Sequence, residues 1–380
     1  MLRILKILWV PAFLLCMSSV SKINAQAYRL VWSDEFDYTG SPETSKWDYD
    51  IGGHGWGNNE LQYYTDRTEN AKVEGGSLII TAALESYGEN DYTSARLVTR
   101  NRGDWLYGRI EVKAKLPEGR GTWPAIWMMP TDREYGGWPN SGELDIMEHV
   151  GYNMGYVHQT VHTEAYNHTL GTQRGGDIYV ADVHQAYHTY AMNWYEDAIR
   201  FYVDNQLVFT FPKESGSDKW PFDQRFHLIL NIAVGGDWGG VEGVDNTIFP
   251  QTMEIDYVRV YEIFVKKPVT GPEKVDCFEE GLVFSIDEFE GAVYTWSFPE
   301  GVSIVEGQGT SSVLVNWGET AGTVSVLQTY DEAGYTSTLE VEVLPELGDG
   351  PLEIKSNENE TGSWYTLEEA GNQIGMHYDK

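Results

Sequence analysis

The chain has 380 residues, which is too long for one ordinary domain, and it contains 14 Trp and 24 Tyr. This aromatic content is well above what a core needs and favours a surface that stacks on flat ligands such as sugar rings. The formal net charge of -32 argues against nucleic acid, anionic membranes and strongly anionic polymers as partners.

Residues 1–25 have the pattern of a secretory signal peptide. Arg3 and Lys6 precede an apolar run over residues 7–17, and a small alanine ends the segment. We therefore expect the mature chain to be exported and to act in the periplasm, at the cell surface or in the medium. Removal of this segment leaves Cys277 as the one cysteine, so no internal disulfide is expected.

Residues 26–264 are predicted to form a β-domain. The sequence there consists of short apolar-polar runs broken by Gly, Asn and Pro, without a helical period long enough to be a framework. An Asp204-Asn205 pair between two such runs predicts a hairpin. Many short antiparallel strands in one stretch predict a β-sandwich.

The run Glu143-Leu-Asp-Ile-Met-Glu148 contains three carboxylates. Its interleaved apolar residues predict a buried strand, in which period 2 places Glu143 and Asp145 on one face. Glu148 is out of phase, and a β-bulge at Ile146-Met147 would return it to that face. A plain half-exposed strand with alternating acids is the alternative. Like charges on one face repel, so we expect the cluster to serve chemistry.

Two carboxylic acids facing a gap beside aromatic side chains are what glycoside hydrolysis requires. One acid protonates the leaving oxygen, while the other attacks or activates water. The preceding aromatic-rich run, residues 122–130, places Trp123 and Trp127 on one face. These would supply stacking surfaces beside the cleaved bond, the alternative being two core tryptophans.

The stretch Gly142-Glu-Leu-Asp-Ile-Met-Glu148 resembles the ExDxxE signature of glycoside hydrolase family 16, in the form with an extra residue that laminarinases and agarases share. The resemblance extends from about Leu30 to Phe264. It implies a concanavalin-like β-jelly-roll sandwich with a concave sheet as the cleft, and a retaining endo-β-1,3-glucanase that needs no cofactor for catalysis. Further matching stretches are residues 32–36, 55–64, 123–127, 161–163, 231–236 and 253–261.

By this resemblance Glu143 is the nucleophile, Glu148 is the general acid/base, and Asp145 orients and tunes the nucleophile. The residue pattern by itself supports Glu143 and Glu148 as the catalytic pair but does not say which is the nucleophile and which the acid/base. A bulged strand suits the roughly 5.5 Å separation of the two carboxyl groups in a retaining enzyme. For Arg96 and His162, a purely structural role is the alternative. The substrate-binding residues that the resemblance implies are Asn58, Arg96, Trp123, Trp127, His162 and Trp238.

Metal binding is expected, if anywhere, away from the acids. The histidines near the motif match no zinc spacing. Many family members hold a structural calcium ion, and the matching residues here are Glu35, Gly76 and Asp256. Ordinary turn and strand polar groups are the alternative, because such ligands are partly backbone carbonyls.

Beyond the first domain, residues 265–272 have the Pro and Gly content of a linker. Residues 273–345 contain alternating strands and a Tyr-x-Trp, Pro-x-Gly pattern that resembles PKD-like, immunoglobulin-type modules, so a second, smaller β-sandwich is predicted. Trp296 and Trp317 alternate with apolar residues and are predicted to lie in its core, with binding of insoluble glucan as the alternative. Residues 346–380 are acidic and poor in aliphatics, which predicts a flexible tail.

The sequence thus predicts a monomeric enzyme whose partner is a β-glucan polysaccharide, with neither nucleic acid nor membrane insertion. Two interpretations stay open. Another family-16 specificity would act on mixed-linkage glucan or on galactans such as agarose, porphyran or carrageenan. A non-catalytic glucan-recognition protein would have lost its acids, whereas all three are present here.

Overall fold

The computed structural model describes residues 27–344, 353–359, 362–369 and 372–378. The predicted signal peptide, residues 1–25, lies outside these ranges. Regular structure in the described residues is β-strand apart from one 3-10 helix at His168–Leu170, which confirms the all-β prediction. Within them, no helix is long and apolar enough to span a membrane. The chain forms two compact units, one of residues Tyr28–Ile263 and one that continues from Phe264.

Eighteen strands build the first unit. They are β1 (Tyr28–Asp34), β2 (Asp48–Tyr49), β3 (Gln62–Tyr64), β4 (Ala71–Glu74), β5 (Ser77–Tyr87), β6 (Asn90–Ser94), β7 (Arg96–Val98), β8 (Asp104–Trp105), β9 (Gly108–Lys115), β10 (Thr122–Pro130), β11 (Glu143–Glu148), β12 (Tyr156–His162), β13 (Arg174–Tyr179), β14 (His188–Trp194), β15 (Ala198–Val203), β16 (Gln206–Pro212), β17 (Phe226–Val234) and β18 (Gln251–Ile263).

These strands form two large sheets. The ten-stranded sheet has the order β16-β15-β14-β9-β18-β5-β6-β3, with β1 on β18 and β4 on β5. The eight-stranded sheet has the order β13-β12-β11-β10-β17-β7-β2, with β8 on β17. Neighbours that are far apart in sequence, such as β10 and β17, show that long-range pairing defines the fold. The predicted hairpin is confirmed, since β15 and β16 join through Asp204 and Asn205, both at positive φ.

One face of each sheet packs against the other. Ile110 and Val112 of the ten-stranded sheet belong to the same buried cluster as Leu144 and Ile146 of the eight-stranded sheet. Alternation along each strand leaves the second face of the eight-stranded sheet free of this core. Burial of each such aliphatic side chain stabilises the fold by roughly 1.5–3 kcal/mol. The sandwich therefore supplies a rigid base for side chains on that second face.

The second unit contains two four-stranded sheets around its own core. Trp296 and Trp317 are each 3% exposed and belong to that core, which confirms their prediction as core residues. Its strands are β19 (Val269–Thr270), β20 (Lys274–Asp276), β21 (Leu282–Ile286), β22 (Val293–Ser297), β23 (Ser303–Glu306), β24 (Ser312–Asn316), β25 (Gly322–Tyr330) and β26 (Ala333–Leu344).

Residues 265–272 are not a separate linker, which corrects the sequence prediction. The second unit starts at Phe264. Val269 lies in β19, pairs with Ile286 of β21 and is buried in the core of the second unit. Proline is tolerated at the first position of an edge strand, so Pro268 and the later glycine flank a short strand here instead of marking an unstructured connection.

The predicted flexible tail, residues 346–380, is described only at residues 353–359, 362–369 and 372–378, and its flexibility stays a prediction. Three strands form an antiparallel sheet there: β27 (Glu353–Asn359), β28 (Gly362–Glu369) and β29 (Asn372–Tyr378). Composition averages over the whole segment, whereas strand formation depends on short runs of β-forming residues. The run Trp364-Tyr-Thr366 is of this kind and lies in β28.

We expect a fragment of residues 28–263 to fold alone, because its core cluster lies entirely within that range. Its thermal unfolding, followed by circular dichroism, should be cooperative, with a melting temperature within about 3 °C of the matching transition in the full chain. A fragment of residues 28–250 is the control. It lacks β18, which pairs with β1, β5 and β9, and should not unfold cooperatively. Equal behaviour of the two fragments would contradict this view of the fold.

Candidate active site

A β-bulge in β11 brings the three acids to one face. Asp145 pairs with Thr160 of β12, and Glu148 pairs with His158, so Ile146-Met147 lie opposite a single β12 residue. The pairing of β11 with β10 shifts at the same place. The predicted bulge is therefore confirmed. The two bulge residues are fully buried in the core, which leaves the carboxylates on the opposite face.

The carboxylates of this cluster have few partners, and those partners are specific. His162 Nε2 lies 3.4 Å from Asp145 Oδ2 and 3.9 Å from Glu143 Oε1. The indole Nε1 of Trp123 donates a hydrogen bond of 3.1 Å to Glu148 Oε1. Glu143, Asp145 and His162 present ligand atoms within 4.8 Å of one another. The site thus combines three acids with the imidazole of His162 and the indole donor of Trp123.

Burial and mutual repulsion shift the protonation of the acids. Burial, followed by the charge of Asp145, raises the pKa of Glu143 to about 8. The same two causes raise the pKa of Glu148 to about 8, against the opposing hydrogen bond from Trp123. Burial raises the pKa of Asp145 to about 8 as well. Groups this close titrate as a unit, so the cluster retains protons at neutral pH and can act as both acid and base.

A row of directly paired residues crosses the eight-stranded sheet at right angles to its strands. Directly paired residues point to the same face of a sheet, so this row defines a line across the face that carries the acids. Its members are, from β7 to β13, Arg96, Asn231, Ala125, Glu148, His158 and Asp177.

On the β7 side of the acids, an arginine is held between two aromatic rings. The Arg96 guanidinium carbon lies 4.7 Å from the ring centres of both Trp56 and Trp127. Asp50 Oδ2 fixes the same guanidinium at 3.2 Å from its Nε. Trp127 in turn donates a hydrogen bond of 2.7 Å to Asn231 Oδ1. Trp127 and Arg96 are therefore locked in orientation.

A buried carboxylate connects Asn58 to the same wall. Asn58 Nδ2 lies 3.4 Å from Glu60 Oε1, and Glu60 Oε2 accepts from Gln62 at 2.6 Å and from Tyr64 at 3.1 Å. The Tyr64 hydroxyl also accepts from Asn231 Nδ2 at 3.0 Å. Sequence reasoning singled out Asn58 but missed Glu60. Its signal was present, because Glu60, Gln62 and Tyr64 alternate in the stretch that the family resemblance marked.

Other aromatic rings border the acids. The Trp238 ring lies 5.6 Å from the Trp123 ring and 5.1 Å from His158, centre to centre. Trp238 therefore contacts two neighbours of Glu148, and its part in substrate binding stays a prediction. Trp138, which sequence reasoning missed, forms a hydrogen bond that lowers the pKa of Glu143. The motif is preceded by Trp138-Pro-Asn-Ser, and an aromatic just before an acidic strand was the available signal.

The predicted calcium ligands lie elsewhere in the first unit. Ile255 of β18 pairs with Leu78, shortly after Gly76, and Asp256 follows it. Val258 of β18 pairs with Asp34, the last residue of β1, and Glu35 follows on the same side of β18, opposite β9. The Glu35 carboxylate is bound by Arg259 at 2.7 Å, and the Asp256 carboxylate by Lys113 at 2.8 Å. Both side chains are thus already in ion pairs, and calcium binding stays a prediction.

Comparison with known proteins identifies the family. The family model of glycosyl hydrolases family 16 matches residues 55–259, and a PKD-like domain model matches residues 264–343. The beta-glucanase of Rhodothermus marinus is 59% identical over 247 residues, covering 63% of this chain and 86% of that protein. The keratan-sulfate endo-1,4-beta-galactosidase of Sphingobacterium multivorum is 33% identical over 328 residues, covering 82% and 72%.

Solved structures agree with these matches. The X-ray structure of the laminarinase from Rhodothermus marinus is 58% identical in sequence and has a TM-score of 0.62, covering 63% of this chain and 99% of that one. The fold is thus the jelly-roll sandwich that the sequence predicts, followed by a PKD-like domain. Its bulged acidic strand lies within the matched residues, and the chain belongs to glycosyl hydrolase family 16.

Proposed function

We propose that this glycoside hydrolase is an endo-acting β-1,3-glucanase that works by a retaining double displacement. The bulge of β11 carries the proposal, because it places Glu143 and Glu148 on one face of one strand. Two carboxyl groups on one face of one strand suit a covalent mechanism, in which their separation is roughly 5–5.5 Å, better than an inverting mechanism, which needs a wider gap for water.

In the first step, a Glu143 oxygen attacks the anomeric carbon while Glu148 transfers its proton to the glycosidic oxygen. The bond from the anomeric carbon to that oxygen breaks, and the leaving sugar departs with the proton as a free hydroxyl. In the second step, the Glu148 carboxylate removes a proton from water, the water oxygen bonds to the anomeric carbon, and Glu143 is released. Two inversions give net retention.

The neighbours of each acid support these roles. Burial raises the pKa of Glu143 and that of Asp145 alike to about 8, so the two groups share protons. In the reactive form we place the proton on Asp145, which leaves Glu143 as the ionised nucleophile. Glu148 keeps the second proton in the form that acts as acid, with Trp123 bonded to one oxygen. His162 faces Asp145 and Glu143 and orients that pair. Asp145 and His162 are thus positioning residues.

The substrate proposal rests on the relatives and on charge. The Rhodothermus proteins are named a beta-glucanase and a laminarinase. The Sphingobacterium relative is named for keratan sulfate and a beta-galactosidase activity, which favours a sulfated, galactose-containing polymer as the second candidate. The arginine beside the cleft, Arg96, pairs with Asp50, which also pairs with Arg100, and the chain as a whole carries a net charge of -32. A neutral glucan suits this surface better than a sulfated polymer.

Wider features of the protein belong to the same proposal. Export rests on the residue pattern of residues 1–25, and action as a monomer is proposed with it. We place catalysis in the first unit, since the acids, Arg96 and Asn58 all belong to it, and give the PKD-like unit no catalytic part.

Substrate class is tested by digestion of laminarin, lichenan, agarose and carrageenan under equal conditions, with chromatography of the products. We expect laminarin to be cleaved fastest, into a series of oligosaccharides as an endo-acting enzyme gives. Proton NMR of the first products should show the β anomer. Preferential cleavage of agarose or carrageenan would replace the substrate assignment, and α anomer appearing first would exclude the retaining mechanism.

The roles of the two glutamates are tested by azide rescue. Glu143→Gly should lower turnover by on the order of 10⁴-fold or more, and azide should then yield an α-glycosyl azide from the vacated space. Glu148→Gly should yield a β-glycosyl azide with substrates whose leaving group needs little protonation. The control is Glu69→Gly at an exposed position outside the cluster, which should keep activity. Exchanged anomers would exchange the two roles.

The raised pKa of Glu148, about 8, predicts the pH profile. Glu148 must be protonated to act as acid, so kcat/KM for laminarin should fall as pH rises through this value. A 2,4-dinitrophenyl β-glycoside of a short glucan releases dinitrophenolate, which leaves without protonation. The kcat/KM for this substrate should therefore lack the alkaline limb. The same alkaline limb with both substrates would assign the titration to another group.

A further inference from the structure

The face that carries the acids continues past β11 onto β12 and β13. No irregularity interrupts the pairing of β12 with β13, so period 2 places Tyr156 on the same face as His158. Tyr156 pairs directly with Tyr179 of β13, and their ring centres lie 5.2 Å apart at an interplanar angle of 57°. The two residues are 40% and 60% exposed. A pair of tyrosine rings therefore stands open on this face.

The backbone beneath the pair makes room for it. Gly155 has a φ of 86°, and a Cβ at this position would lie 2.7 Å from the Tyr179 ring and 3.0 Å from the Val180 carbonyl oxygen. The Val180 amide donates a hydrogen bond of 2.7 Å to the Gly155 carbonyl. A left-handed glycine thus lets the Tyr179 ring lie close over the chain, which fixes the position of the exposed ring.

The pair lies on the leaving-group side of the acids. Arg96 and Asn231 are on β7 and β17, on one side of β11, whereas β12 and β13 are on the other. Tyr156 is two residues from His158, about 7 Å along the strand, and Tyr179 is one strand further, about 4.8 Å. We assign the Arg96 side to the sugars that become bound to Glu143, so the sugars beyond the cleaved bond extend away from Arg96 and towards β13.

Aromatic contacts extend from the acids to His158, on the strand that carries Tyr156. Trp123, which donates to Glu148, contacts Trp238, and Trp238 contacts His158. Asp177, the residue of β13 that pairs with His158, adds a carboxylate to the same face. A ligand along this path therefore meets ring faces and a negative charge, which selects an uncharged, flat ligand over an anionic one.

We propose that Tyr156 and Tyr179 form an acceptor-side sugar platform, which binds the part of a neutral glucan chain that leaves after cleavage. The inference rests on the proposed function and adds a binding site to it. The occupant is the leaving portion of the substrate, because the pair is continuous with the cleft. Stacking of a pyranose on two rings holds that portion in place while Glu143 attacks.

The same platform gives acceptors access to the covalent intermediate. A sugar hydroxyl from a glucan bound there replaces water, its oxygen bonds to the anomeric carbon, its proton passes to Glu148, and Glu143 is released. The product is a longer chain. The platform therefore favours transfer as well as hydrolysis of long substrates.

The test compares two substrates with the double variant Tyr156→Ala/Tyr179→Ala. Laminarihexaose reaches beyond the cleaved bond, whereas 4-nitrophenyl β-laminaribioside has only an aryl group there. We expect kcat/KM to fall on the order of fivefold for laminarihexaose, with little change for the aryl glycoside. Transfer products at high laminarihexaose concentration should also fall. The double variant Tyr156→Phe/Tyr179→Phe keeps both rings, so it should retain the wild-type kcat/KM for laminarihexaose and the wild-type yield of transfer products.

The control is Tyr87→Ala. Tyr87 is 38% exposed and its ring lies 4.9 Å from that of Tyr63 at 58°, but it belongs to β5 of the other sheet. This variant should match the wild type on both substrates. Equal losses on both substrates in the double alanine variant, or no loss on laminarihexaose, would overturn the platform. Wild-type protein that leaves laminarihexaose intact would instead overturn the glucanase assignment.

Discussion

One extra residue in the register of β11 determines both the core and the chemistry of this protein. Side chains of a strand alternate between faces, so an uninterrupted β11 would turn Glu148 towards the core. The bulge at Ile146-Met147 sends two consecutive apolar residues inwards and returns Glu148 beside Glu143. Three carboxylates on one buried face repel one another, and the extensive sandwich core offsets that cost. The site is thus strained electrostatically but rigid in geometry.

The two sides of the cleft are built from different interactions. On the β7 side, Glu60, Tyr64 and Asn231 form a buried chain of hydrogen bonds that ends at Trp127. Such a network is costly to disturb, so this side is fixed before any ligand arrives. On the β13 side, exposed tyrosine rings prevail. The β7 side therefore holds its ligand in a fixed geometry, whereas the β13 side binds by stacking, which tolerates different positions of the ligand. This combination suits cleavage inside a long polymer.

Local pattern was enough to predict much of this structure. Alternation predicted the all-β fold and the hairpin at Asp204, and the phase of Glu148 against Glu143 predicted the bulge. Contacts that join distant segments were beyond such reasoning, because the sandwiching of Arg96 between two tryptophans depends on the register of separate strands. The linker prediction was wrong for a related reason. It used average composition, whereas burial of a single residue such as Val269 decides whether a short edge strand forms.

The place of β18 has a consequence for the order in which the protein is made. This strand is the last of the first unit, yet it lies in the middle of the ten-stranded sheet and pairs with β1, β5 and β9. A growing chain that has not reached residue 263 lacks the strand that joins these three. The apolar faces of the earlier strands therefore stay exposed to solvent until synthesis of the whole unit is complete. The topology thus makes closure of the sandwich a late and cooperative step at any rate of synthesis.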